Sequence, residues 1–192
     1  MRKNHQPGRS NVLSNNAMVA TSQPLSSQEA LNILKMGGNA VDAAIAASAV
    51  LSVVEPGSTG IGGDCFAIIK MDSKKAISVN GSGISPYKAN LDFFKKNYID
   101  KIDLLSPHSV TVPGAVDAWY EMHEKFGKLE FKQLFLTAEY YAREGFPVHE
   151  IEAFHCACSI HAFSVALIFF LQGGMQTSSL LRYSLRKTSK YL

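Results

Sequence analysis

The side chains best equipped for chemistry in this 192-residue chain are few and scattered. Cysteines stand at Cys65, Cys156 and Cys158; histidines stand at His5, His108, His123, His149, His155 and His161; and a threonine, Thr177, follows Gly173 and Gly174. A nucleophile needs a base within hydrogen-bond reach, and a zinc ion needs three or four ligands at workable spacing. The run HCAC at 155–158 has Cys-x-Cys spacing, tight for one ion, and no second ligand pair follows at zinc-finger spacing. These read as incidental cysteines, so no metal is expected. Cys65 follows an aspartate and opens an apolar run, which suits a small buried residue better than a nucleophile. His108, His123 and His149 lie far apart and read as surface or capping residues. Thr177 lacks any strand context. No nucleophile–base pair can be assembled from spacing alone.

The remaining chemical signal is a glycine cluster. Residues 53–70 read VVEPGSTGIGGDCFAIIK, with Gly57, Gly60, Gly62 and Gly63 in seven positions. So much backbone freedom suits a phosphate cradle, a tight structural crossing or an active-site wall. A P-loop requires Lys after its last glycine, and here Asp64 follows Gly63. A dinucleotide fingerprint follows a strand and opens a helix, whereas this cluster follows a helix-like run and precedes a strand-like one. Nucleotide binding is therefore not expected.

The elements around the cluster follow from periodicity and punctuation. Ser26 with Glu29 fits a capping box before a helix closed by Gly37 at the C′ position. Asn39 is placed to cap a second helix with Asp42 in its first turn. That helix is alanine-rich and apolar nearly all round, so it should be buried, and Pro56 should end it. CFAIIKM and KAISVNG read as a hairpin-like strand pair. PYKANLDFFKKN reads as a helix with Leu91, Phe94 and Tyr98 on one face. SVTVPG is an extended piece before a helix ended by Gly127. A last helix carries Phe131, Leu134, Phe135, Ala138 and Tyr141 at helical spacing and ends at Gly145. The organisation is a polar arm over 1–16, a folded region over 17–150, and a tail over 151–192 whose texture shifts to serine, aromatic and late basic residues, as expected of an unrelated segment of separate or frame-shifted origin.

Composition narrows the class. Hydrophobic residues make up 46% and charged residues 18%, which is globular. Residues 1–150 hold fifteen Lys/Arg and fifteen Asp/Glu, so the net charge of +3 arises in the tail. A neutral body offers no footprint for nucleic acid. The first sixteen residues hold no apolar stretch of signal-peptide type, and the apolar run from Ala162 to Leu171 is too short to span a bilayer. Neither a signal peptide nor a membrane partner is expected, and the cytoplasm is the default location.

An ordered series of motifs then appears: MVAT at 18–21, GGNAVDAA at 37–44, VVEP at 53–56, TGIGGD at 59–64, SVTVPGAVDAW at 109–119 and AREGFPV at 142–148. Together they closely resemble the N-terminal part of the γ-glutamyltransferase family, over about residues 9–150. The resemblance implies an α/β fold, the αββα sandwich of the N-terminal-nucleophile hydrolases, of which only the helix-rich N-terminal portion is present. It implies a precursor that cleaves itself into large and small subunits. The freed N-terminal threonine of the small subunit attacks a γ-glutamyl amide, with its own α-amine as base. Water or an amino group then takes the γ-glutamyl group, glutathione is the usual substrate, and no cofactor is needed. In that reading the small-molecule substrate and the small subunit are the partners of the parent enzyme. The catalytic threonine lies outside this chain, which should be inactive alone. The glycine cluster becomes a structural crossing beside the active-site region.

The resemblance also points to a substrate-binding segment. Many members carry an arginine that binds the α-carboxylate of the glutamyl group. Here the matching segment is NGSGISP, so Asn80, Gly81 and Ser82 are the candidate substrate-binding residues, with Ser82 at the arginine position. It resembles a branch with N-G-S-G there, in which an arginine often follows the second glycine; this chain has Ile84. A hydroxyl cannot replace a bidentate guanidinium–carboxylate contact. Other γ-glutamyl or acyl amides, mainly hydrolysed, are thus the expected substrates of the parent. The alternative is a non-catalytic interaction module that reuses part of the fold.

Overall fold

In the computed structural model, residues 11–149 except 73 and 105, together with 152 and 153, are described. Helix α1 (Pro24–Lys35) begins at Pro24, whose fixed φ suits a first helical position. Its cap is therefore Gln23, three residues before the expected Ser26, with the Leu25 N–H donating to Gln23 Oε1 at 2.5 Å. The expected Ser26–Glu29 box does not form, because Pro24 starts the helix too early for it. Ser26 is instead fully buried, and its hydroxyl donates to the Ala47 carbonyl at 2.8 Å. Gly37, at φ 94°, ends α1 as expected. Its N–H reaches the Leu34 carbonyl and that of Gly38 the Ile33 carbonyl, the paired bonds of a Schellman ending.

Helix α2 (Ala40–Val54) is the axis of the core. Asn39 Oδ1 accepts from the N–H groups of Val41 and Asp42, and the Asn39 N–H donates back to Asp42 Oδ2, as the sequence predicts. Nine of its residues are buried, including Ile45, Ala46, Val50 and Val54 at 1% exposure or less. The alanines let α1 and the later helices approach closely, which explains a buried helix built mostly from small side chains.

Strands β1 (Cys65–Ile69) and β2 (Ile77–Gly81) pair antiparallel, with Cys65 opposite Gly81 and Ile69 opposite Ile77. Cys65, Ala67 and Ile69 turn toward the helices, while Phe66 and Ile68 point away and are 69% and 83% exposed. Helix α3 (Leu91–Lys96) forms, but the expected apolar face does not pack: Leu91 and Tyr98 are 75% and 92% exposed. Six residues are too few to carry a stripe. Phe93 and Phe94 instead set their rings edge-on to His108. Helix α4 (Ala115–Phe126) ends at Gly127, and α5 (Leu136–Glu144) follows a 3₁₀ turn over Phe131–Phe135 and ends at Gly145. Leu134 and Ala138 are buried, with Phe131, Phe135 and Tyr141 packed around the core. Among the described residues no helix is long and apolar enough to cross a membrane.

One buried carboxylate joins these pieces. Asp42 is fully buried. Besides Asn39, it accepts from the backbone N–H of Lys128, at 3.1 Å to both oxygens, and of Leu129 at 3.3 Å. The Asn39 amide donates to the Phe126 carbonyl, and His123 Nε2 lies 3.8 Å from Asp42 Oδ1 and 2.7 Å from the Leu129 carbonyl. The start of α2 is thereby tied to the end of α4. Charge-assisted bonds to a buried carboxylate are the strong ones, and removing the acceptor strands several donors. Asp42→Ala should lower the unfolding free energy by about 3 kcal/mol or more. Urea denaturation followed by circular dichroism measures this; an unchanged midpoint would contradict the role given to Asp42.

Candidate active-site wall

The opposite ends of α2 and α4 frame a cleft of about 430 Å³. Its lining includes Ser48 and Ser52 from α2, Thr59 from the glycine cluster, and Asp64, Cys65 and Trp119. Ser48, Ser52, Ser58 and Thr59 bring four hydroxyl groups to its lining, beside the Asp64 carboxylate. Ser48 donates to the Ala44 carbonyl and Ser52 to the Ser48 carbonyl, the usual use of such hydroxyls within a helix. Among the described residues no hydrogen bond joins a cleft hydroxyl to a histidine, and no Lys or Arg lines the cleft.

Three segments cross at its edge. The Gly63 carbonyl accepts from the N–H groups of Gly114 at 3.1 Å and Ala115 at 3.0 Å. Asp64 Oδ1 accepts from the Gly83 N–H at 3.0 Å and the Thr111 hydroxyl at 3.2 Å. The Val112 N–H donates to the Ile84 carbonyl at 2.9 Å. The glycine cluster, the turn after β2 and the extended piece before α4 thus meet backbone to backbone. The glycines that this crossing requires are not those of the cluster. A Cβ at Gly83 would land on the Val112 carbonyl, one at Gly81 would run into Ala118 and lie 2.9 Å from the Cys65 carbonyl, and one at Gly114 would lie 2.5 Å from the Gly81 carbonyl. Nothing lies within 4 Å of a Cβ at Gly57, Gly60, Gly62 or Gly63. The cluster does take part in a crossing, but through Gly63 and Asp64 backbone and carboxylate contacts rather than through crowding.

The three candidate substrate-binding residues fall on this crossing with different surroundings. Gly81 faces Ala118 and the β1 backbone. Asn80 Oδ1 accepts from the Ser82 N–H at 3.0 Å, which shapes the turn. Ser82 is exposed. Sequence spacing alone gave no reason to connect Asp64 or Thr111 with this segment; only a pairing across 47 residues brings them together.

Cys65 is half-buried at the cleft, where burial pushes its thiol up and a hydrogen bond with Trp119 opposes that shift. It is held as the neutral thiol, a poor nucleophile, in keeping with its expected packing role. His108 is exposed against Phe93 and Phe94, and His149 is exposed with Nδ1 accepting from the Glu152 N–H. His123 serves the Asp42 junction. Among the described residues no group of three His, Cys, Asp or Glu could hold a metal ion. The HCAC run and Thr177 lie outside the described residues.

Comparison with known proteins gives this geometry a context. The family described as gamma-glutamyltranspeptidase matches residues 26–178, a span that crosses the expected boundary at 150. The chain is 40% identical over 146 residues to the "Glutathione hydrolase-like YwrD proenzyme" of Bacillus subtilis, covering 75% of this chain and 27% of that one. It superposes on a cephalosporin acylase from Bacillus halodurans with TM-score 0.71 at 36% identity, covering 84% of this chain and 32% of that one. It superposes on a gamma-glutamyltranspeptidase from Pseudomonas nitroreducens with TM-score 0.70 at 31% identity, covering 79% and 46%. The chain spans about a quarter of the length of the curated relatives that it matches.

The crowding at the crossing makes a graded prediction. Gly83→Ala should cost about 2 kcal/mol or more, because the new methyl meets backbone that cannot rotate away. Gly60→Ala should stay within about 1 kcal/mol of the parent chain. Thermal unfolding of the two variants side by side checks this, and equal losses would contradict the assignment.

Proposed function

This chain belongs to the γ-glutamyltranspeptidase family, and from that premise we propose that it is the N-terminal part of the large subunit of an autoprocessing acyl-amide enzyme. The observation that carries the reading is the family match over 26–178, combined with a cleft at the Gly63–Asp64 crossing whose wall carries hydroxyls that, among the described residues, no hydrogen bond joins to a histidine. The chain supplies a wall of the site. The attacking group, an N-terminal threonine with its own amine as base, lies on the small subunit. Its attack on the amide carbonyl forms an acyl-enzyme and releases the amine. Water or a second amine then takes the acyl group. The 192-residue chain alone is inactive in this reading.

The acyl group is a γ-glutamyl group or a related one. Ser82 stands where many members have the carboxylate-binding arginine, and Ile84 where a branch of them has another. The likeness to an acylase at 36% identity supports a site that has relaxed its demand for a free α-carboxylate. A bidentate guanidinium–carboxylate pair is worth far more than a hydroxyl contact in a sheltered site.

The test joins this chain to the rest of its precursor. The completed protein should cleave itself and release p-nitroaniline from a γ-glutamyl or glutaryl anilide, while the 192-residue chain releases none. Turnover by the isolated chain would overturn the division of labour. In the completed enzyme, Ser82→Arg should lower KM for γ-glutamyl anilide about tenfold, the size of one added charge-assisted contact, and leave glutaryl anilide unimproved. Equal change for both substrates would contradict the role of position 82.

A further inference from the structure

Asp64 is a polar group whose arrangement the proposed chemistry leaves unused. It lines the cleft, it is exposed, and one of its oxygens is engaged twice. Both donors belong to other segments: the Gly83 N–H of the turn after β2, and the Thr111 hydroxyl of the piece before α4. The adjoining residue, Gly63, receives two further bonds from Gly114 and Ala115. Four hydrogen bonds therefore converge on two consecutive residues. One of them, from the Gly83 N–H, ties down the turn that carries Ser82.

We propose that Asp64 is a positioning residue for acyl-group recognition: its carboxylate, which lines the cleft, fixes the Asn80–Ile84 turn, and with it Ser82, at the crossing on the cleft's edge. The inference rests on the reading that this cleft takes the acyl group. The physical case is the way in which the turn's donors are spent. The Ser82 N–H is given to Asn80 Oδ1 and the Gly83 N–H to Asp64 Oδ1, so the turn meets a ligand through the Ser82 side chain rather than through these two amides. Gly83 cannot shift inward, because the Val112 carbonyl occupies the space. It can only swing outward, which the bond to Asp64 opposes at Gly83 itself, while the Val112 N–H holds the neighbouring Ile84 carbonyl. Thr111 holds the same oxygen from the other side and fixes the carboxylate's own rotamer.

Acceptance, rather than charge, is what the role requires, and this separates it from an ionic contact with substrate. An asparagine keeps an oxygen that can accept from both donors; an alanine keeps neither. Because Asp64 is exposed, water replaces the lost acceptor in the alanine variant and the fold stands.

The experiment uses the completed, self-cleaved enzyme with γ-glutamyl and glutaryl anilides as probes. Asp64→Ala should raise KM about tenfold for the preferred anilide, with kcat within about twofold, which is the loss expected for one or two hydrogen bonds used in binding. Asp64→Asn should restore KM to within about threefold of the parent. The 192-residue chain carrying Asp64→Ala should unfold at the parent's denaturant midpoint and show faster amide exchange at Gly83. If the parent enzyme turns over neither anilide, the reading of the cleft fails and this inference fails with it. If the parent is active but Asp64→Ala lowers kcat and leaves KM alone, or Asp64→Asn is as impaired as Asp64→Ala, the positioning role is overturned while the reading of the cleft stands.

Discussion

The buried carboxylate of Asp42 is the constraint from which the rest of the structure follows. It gathers backbone N–H groups from the start of α2 and from the loop after α4, and so locks two helices at one end. Those helices run in opposite directions. At their other end, the chain leaving α2 returns through the glycine cluster, and the Gly63 carbonyl receives the first N–H groups of α4. Two knots, one ionic and buried, one mostly backbone and exposed, thus hold a single pair of helices. The cleft opens at the second knot.

The division between a rigid core and an incompletely covered surface also follows. Helix α2 is covered on most sides, whereas Phe66 and Ile68 of β1 and the region around α3 present large apolar side chains to solvent. A two-stranded sheet with one apolar face exposed is marginal by itself. The chain spans about a quarter of the length of its curated relatives, several of which are named as proenzymes. In the proposed reading the remainder of the precursor covers these surfaces, and the parent's activity belongs to the assembled whole.

Much of the fold was legible in the sequence because its signals were local. Gly37 and Gly145 as helix endings, the Asn39 cap with Asp42 in the first turn, the strand pair, and the helical spacing through Leu134 and Ala138 each depend on neighbours a few residues away. The misjudged elements failed where tertiary contacts or a competing local signal prevailed. Ser26 looked like a cap, but Pro24 started the helix earlier and the hydroxyl found the Ala47 carbonyl. Leu91 and Tyr98 looked like a buried face on a helix too short to pack. The candidate site was less legible. The glycine cluster drew attention to Gly57, Gly60 and Gly62, while the sterically required glycines, Gly81, Gly83 and Gly114, are dispersed. Asp64 appeared only as a residue that spoiled a phosphate loop, and its partners are 19 and 47 residues away. Long-range pairing of that kind leaves no periodic trace.

The central claim is that this chain is one part of a site whose nucleophile sits on another. The most direct measurement is to isolate the protein carrying this segment from its own cells and determine the N-terminus of every polypeptide that remains associated with it. The account predicts two chains, with the second beginning at threonine. A single polypeptide of this chain's mass, with no threonine-led companion, would contradict it.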